Sequence, residues 1–241
     1  MLQWVVGRFA CFSYGLGRSR RTMLVGLMLA SILATPALIA ANITVNTATH
    51  DFGLVAGNCS LREAIQSANS NADFGGCTHT GSYGTDQIAL PGLSAGVFFN
   101  LTRVGTDDTN NNGDLDIAGS LTITGAGVAS SAIRSNFSAA NSDRFRIFQI
   151  HGGTVSLIDL TVRDGLEDGS VAGGGLRTEP NTSTTLTRVN VFQNSAGGNA
   201  GGILNQGSMV INDSIIRANQ TTNAATGGGG IFNAAAASLS I

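Results

Sequence analysis

The sequence predicts an all-β fold, a parallel β-helix solenoid fronted by one short capping helix, on three observations. Gly, Asn, Ser and Thr interleave with short β-branched runs, a mix that suits brief strands joined by tight turns. A coarse repeat also runs through the second half. SLIDLTVRDG (156–165), TLTRVNVFQN (185–194) and VINDSIIRAN (210–219) align on Val162, Val191 and Ile216, at periods of 29 and 25 residues. Third, NCSLREAIQSAN (58–69) carries a helical signal that the surrounding sequence lacks.

Residues 1–41 read as an export signal. Arg18, Arg20 and Arg21 form a basic region, Met23 to Ala41 is an uncharged apolar run, and it closes on ALIAA with a cut after Ala40 or Ala41. A retained membrane anchor competes, because the run approaches spanning length. Pro36 and the alanine cluster favour removal, which leaves no membrane span. SRRTML (19–24) resembles a twin-arginine signal, so the export route stays open, and Met23 is an alternative start. The remainder is long enough for one sizeable core.

The chain has 13 basic residues, all arginine, against 15 acidic ones, a net charge of −2. Setting aside the four arginines of the leader leaves nine against fifteen, or −6. A negative chain without a basic patch argues against nucleic acid as partner. The same lack of basic attraction argues against anionic membrane surfaces.

Residues 42–117 read as the cap and the first irregular coils, with short strands in ITVNTATHDF (43–52), DQIALPG (86–92) and GVFFNLTRV (96–104). Ser60 and Glu63 make the S-x-x-E capping box. Leu61, Ala64, Ile65 and Ala68 then fall on one helical face, with Arg62, Gln66 and Ser67 on the other. Such a helix suits the front of a solenoid, where it covers apolar core and an unpaired strand edge. In an exported chain Cys59 and Cys77 read first as one disulfide, contributing about 3 kcal/mol. Two reduced, buried thiols are the alternative.

Residues 118–241 hold the repeats, opened by the strand SLTITGAG (120–127). A second element recurs as GGGLRT (173–178), GGILNQ (201–206) and GGIFNA (229–234). Leu186, Val189, Val191 and Asn194 also fit a leucine-rich repeat, but the segments that follow are poor helices and their glycines suit corners with positive φ. Superposed coils predict stacks of Leu157, Leu186 and Ile211, of Val162, Val191 and Ile216, and an amide ladder of Asn194 on Asn219. Asp159, Arg188 and Asp213 form an acid–base–acid column, read as cross-strand charge pairing rather than catalysis. The chain stops at AAAASLSI without a polar cap, so a C-terminal continuation is expected.

Cys59-Ser60-Leu61-Arg62-Glu63-Ala64 is, letter for letter, the signature of the CSLREA family of exported bacterial proteins, and the sequence resembles that family further along. THDFGLVAGNCSLREAIQSAN, TDQIALPG, GDLDI, LTITGAG and the GGGI-x-N coils carry the likeness over nearly the whole chain after the leader. The GGI-x-N repeats are similar to those of polymorphic outer-membrane proteins. The resemblance implies a right-handed parallel β-helix of the pectin-lyase-like kind, secreted or displayed at the cell surface in association with the outer membrane. Members often carry a C-terminal anchoring or sorting region. The family implies no defined activity, and fold does not decide function.

Two sites are suggested by the residues themselves. In DDTNNNGDLDIAG (107–119), Asp108, Asn110, Asn112, Asp114 and Asp116 with Gly113 follow the first nine positions of a calcium loop. Gly119 stands where the bidentate Glu belongs, so an EF-hand is excluded, and a solvated Asn/Asp turn is the competing reading. For catalysis the candidates are Arg163 and Asp164, with Glu167, Asp168 and Arg217 nearby; exposed turn charges explain them as well. His50, His79 and His151 are dispersed without metal spacing. The function expected is a non-catalytic surface or secreted module, adhesin-like or structural, with a glycan or cell-surface ligand. The alternative is a polysaccharide lyase or glycoside hydrolase on the same scaffold.

Overall fold

Neither strand of a repeat can bury its apolar side chains alone, and the chain solves this by stacking rungs in parallel. The structure, a computed structural model, describes residues 40–49, 52–53, 57–105, 107–135, 144–167, 173–222 and 227–241. The segment expected to be an export leader, apart from its last two residues, lies outside them. The fold is a parallel β-solenoid with one short helix, nearly all β. Among the described residues its strands form four sheets, of eight, five, five and three strands.

The expected stacks form in register. Leu186 pairs with Leu157 on one side and Ile211 on the other, and Val191 with Val162 and Ile216. Leu176, Ile203 and Ile231 stack in the GG-x-x element. The Asn194 amide donates to Asn219 Oδ1 at 3.0 Å and to the Val162 carbonyl at 3.1 Å, while its own Oδ1 accepts from Gly165 N. Arg188 grips Asp159 with two hydrogen bonds of 2.6 and 2.7 Å on the solvent rim. Parallel pairing continues upstream of residue 118: Leu115–Ile117 pairs with Phe148–Ile150, and Phe99–Leu101 with Ala132–Ser135. Ala40–Thr44 takes an antiparallel neighbour, His79–Thr80, at its outer side.

The corners bear out the glycine expectation only in part: Gly153, Gly173 and Gly227 take positive φ, at 76°, 100° and 82°, but they are not alone. Positive φ falls on stacked non-glycine residues, Asp159, Arg188 and Asp213 at 55°, 52° and 48°, and Asp164, Gln193 and Ala218 at 56°, 54° and 52°. Many glycines serve close approach instead. A Cβ on Gly174 would lie 2.1 Å from the Ser195 carbonyl oxygen, so only glycine lets these rungs meet.

The helix spans Leu61–Ser70 and carries the complete capping box, with Ser60 Oγ accepting from Glu63 N and Glu63 Oε2 from Ser60 N. Leu61, Ala64 and Ile65 enter the core. The supposed polar face does not stay wet: Arg62 and Ser67 are fully buried. Arg62 donates to the carbonyls of Asn110, Gly113 and Asp114. Asn69 donates to the Asp116 carbonyl at 2.7 Å and accepts from Ala118 N at 2.9 Å, taking the place of a neighbouring strand along Leu115–Ile117. Polar side chains of the helix therefore close the hydrogen bonds of the sheet edge they cover. Cys59 and Cys77 form the disulfide, with Cα atoms 4.5 Å apart. No helix among the described residues is long and apolar enough to cross a membrane.

Candidate functional site

Three adjoining strands of one five-stranded sheet, LDI (115–117), FQI (148–150) and LRT (176–178), carry a polar residue at the centre, on the face opposite their core-facing first residues. Asp116, Gln149 and Arg177 form that column, in register on successive rungs. The residue after each of two strands, His151 and Glu179, and the turn at 107–114 wall the column on its flanks. A polar groove of about 520 Å³ results, lined by Asp107, Asp108, Asp114, Arg146, Gln149, His151, Glu167, Arg177 and Glu179.

The buried carboxylates differ in environment. Asp116 Oδ1 meets His151 Nε2 at 2.8 Å, and its Oδ2 accepts from Asn110 N at 2.9 Å. The hydrogen bond to Asp116 raises the His151 pKa, against a smaller opposing effect of burial. Asp114 is pushed up to about 7, first by burial, with Arg146 opposing and Asp116 adding repulsion. Arg146 Nε lies 3.1 Å from Asp114 Oδ2, close enough for ion pairing but not aligned for a hydrogen bond. Arg146 Nη2 reaches Glu167 at 2.8 Å, and Arg177 pairs with Glu179 at 2.7 Å.

Of the five residues expected to hold calcium, only Asp108 and Asp116 come together. The Asn110 side chain is buried against the helix, donating to the Arg62 carbonyl, and Asn112 Oδ1 faces Arg103 Nη2 at 3.4 Å. Asp114 turns to Arg146. The third ligand-type group beside Asp108 and Asp116 is His151, with one ligand atom from each residue lying within 4.8 Å of the others. The dispersed histidines thus include one that the winding of the chain brings back; His79 instead pairs with Asp73, and His50 lies outside the described residues.

Arg163 and Asp164 sit elsewhere, on a different sheet. Arg163 donates to Asp164 at 2.8 Å and to Gln193 at 3.0 Å, and its guanidinium stacks 5.1 Å from the Phe192 ring. Asp164 lines a separate cavity of about 380 Å³ with Arg134, Gln193 and Gln220. Glu167 belongs to the first groove, Arg217 stacks on Phe192 at 4.0 Å, and Asp168 lies outside the described residues. Arg146, Gln149, Arg177 and Glu179 are not marked by any sequence motif. The available signal is the polar centre shared by LDI, FQI and LRT, whose pairing needs the strand register.

No family model, no curated protein and no solved structure matches this chain.

Proposed function

We propose that the chain is an exported β-solenoid that binds a polar ligand, such as a glycan, at the cell surface or outside the cell without turning it over. The observation that carries this reading is the mutual locking of its outward charges. Arg163 is held by Asp164 and Gln193, Arg188 by Asp159, and Arg177 by Glu179. Charges paired in this way build a rigid polar surface, and between Asp159 and Arg188 the contact lowers the carboxylate's pKa and raises the guanidinium's. The disulfide and the leader-like first 41 residues support an oxidising, external compartment. Membership of the CSLREA family, right-handed winding and association with the outer membrane belong to the same reading.

A carbohydrate-active enzyme is the second reading, favoured by one observation. Burial pushes Asp114 up to about 7 in the wall of the groove, within the range in which a general acid works, and Asp116 is a second carboxylate close by. Glycan-array binding followed by product analysis separates the two. Retention of a glycan with no new reducing ends or unsaturated products is expected. Product formation abolished by Asp114→Asn would replace the first reading with the second.

A further inference from the structure

We infer that Asp108, Asp116 and His151 form a divalent transition-metal site in the groove. Three ligand atoms within 4.8 Å of one another can be bridged by one ion at the usual distances of about 2.0–2.2 Å after small side-chain adjustments. The fold prepares each part differently. Asp116 is fixed at the centre of a strand, with Asn110 N on its Oδ2 and Asn69 on its backbone carbonyl. His151 follows the next strand of the same sheet, which brings Nε2 to 2.8 Å from Asp116 Oδ1. Asp108 comes from the turn and is exposed, so it can swing onto an ion with little else disturbed.

The competing arrangement is a plain Asp116–His151 hydrogen bond, and an independent observation weighs against its being the whole account. Asp114 Oδ2 and Arg146 Nη1 line the same groove on side chains 6% and 8% exposed, and neither has a hydrogen-bond partner. A hydrated ion in this groove would offer a donor for Asp114 and an acceptor for Arg146. Surrounding charge agrees, since Asp107, Asp108, Glu167 and Glu179 outnumber Arg146 and Arg177 along the groove.

Ligand chemistry selects the ion. An imidazole nitrogen with two carboxylates suits Zn²⁺ or Mn²⁺, whereas Ca²⁺ takes oxygen ligands. The site therefore differs in kind from the all-oxygen loop that the 108–116 spacing suggests.

The test titrates the untagged chain with Zn²⁺ by calorimetry at pH 7.5, beside Asp108→Asn and His151→Gln. Asp108 is exposed, so its variant keeps the fold; thermal melts without metal verify this for both. One Zn²⁺ per chain is expected, with affinity reduced at least tenfold in each variant. Absence of zinc binding, or zinc affinity unchanged in both variants, overturns the inference. So does Ca²⁺ binding that outcompetes Zn²⁺ and ignores His151→Gln, which would return the site to the oxygen-rich turn. A loss confined to glycan binding leaves the metal inference standing, so failure of the proposed function is distinguishable.

Discussion

Arg62→Met should strongly destabilise the N-terminal end of the solenoid. The wild-type guanidinium is fully buried, and burial lowers its pKa to about 10, with Asp114 and Asp116 partly offsetting that effect. It stays charged at neutral pH, and the drop from its ordinary value corresponds to a cost on the order of 3 kcal/mol that methionine would not bear. Against that stand three backbone carbonyls, of Asn110, Gly113 and Asp114, and the Asn110 Oδ1 atom 3.4 Å from Nη1. Each hydrogen bond to a charged donor contributes about 1.5–3 kcal/mol, and each buried carbonyl left alone costs about 1–3 kcal/mol. The lost bonds outweigh the relieved desolvation, for a net loss of about 3–6 kcal/mol, a large share of the usual 5–15 kcal/mol of a domain. Arg62→Lys should fall between, because one ammonium cannot reach all three carbonyls as a fork does. Urea unfolding followed by far-UV circular dichroism measures the midpoint and slope. An Arg62→Met variant within about 1 kcal/mol of wild type, at unchanged slope, would refute the reasoning.

Other perturbations follow from the same contacts. Replacing both Cys59 and Cys77 by alanine should cost about 3 kcal/mol in urea unfolding, and reductant should lower wild type by a like amount while leaving the double variant unmoved. Asn194→Ala should cost about 2–4 kcal/mol, since it strands the Gly165 amide and the Val162 carbonyl, whereas Asn219→Ala at a half-exposed position should cost less; equal losses would sink the ladder argument. Between pH 4 and 7 the folded state holds a proton on Asp114 that the unfolded chain, near 3.8, releases, so this carboxyl makes stability fall as pH rises through that window. The effect is on the order of 4 kcal/mol at most. The raised His151 pKa acts in the same direction, its contribution being lost as pH rises through the folded value. Thermal melts from pH 5 to 8 should show the decline, and Asp114→Asn should flatten it.

The repeat was legible because its information is local. Leu157, Leu186 and Ile211 sit at equivalent places in segments that align by eye, and parallel stacking converts that equivalence directly into contact. Asn194 and Asn219 follow by the same logic. Arg62 was misplaced because a helical wheel sends charge to solvent, while the carbonyls that receive it lie 48 to 52 residues along the chain. The corners were legible only in part, at glycines such as Gly173 and Gly227, for a related reason. Left-handed backbone usually signals glycine, but here Asp159, Arg188 and Asp213 adopt it at about 1–2 kcal/mol each. The glycines are needed where backbone meets backbone. His151 lies 35 residues from Asp116 with no shared motif, so only the strand register could join them.

That register also ties the cap to the groove. Asp116 is the shared part: its carbonyl receives Asn69 of the helix, its Oδ2 receives Asn110 N, and its Oδ1 faces His151. Asn110 in turn donates to the Arg62 carbonyl and receives Arg62 Nη1. A chain of buried, directional contacts therefore runs from the helix through the 110–116 turn to the floor of the groove. Hydrogen bonds in such a run hold one another's geometry, because shifting any member leaves a buried polar atom unmet. The helix thus has two consequences that the sequence presents as one. It closes the edge of the solenoid, and by closing it fixes the carboxylate on which the groove is built.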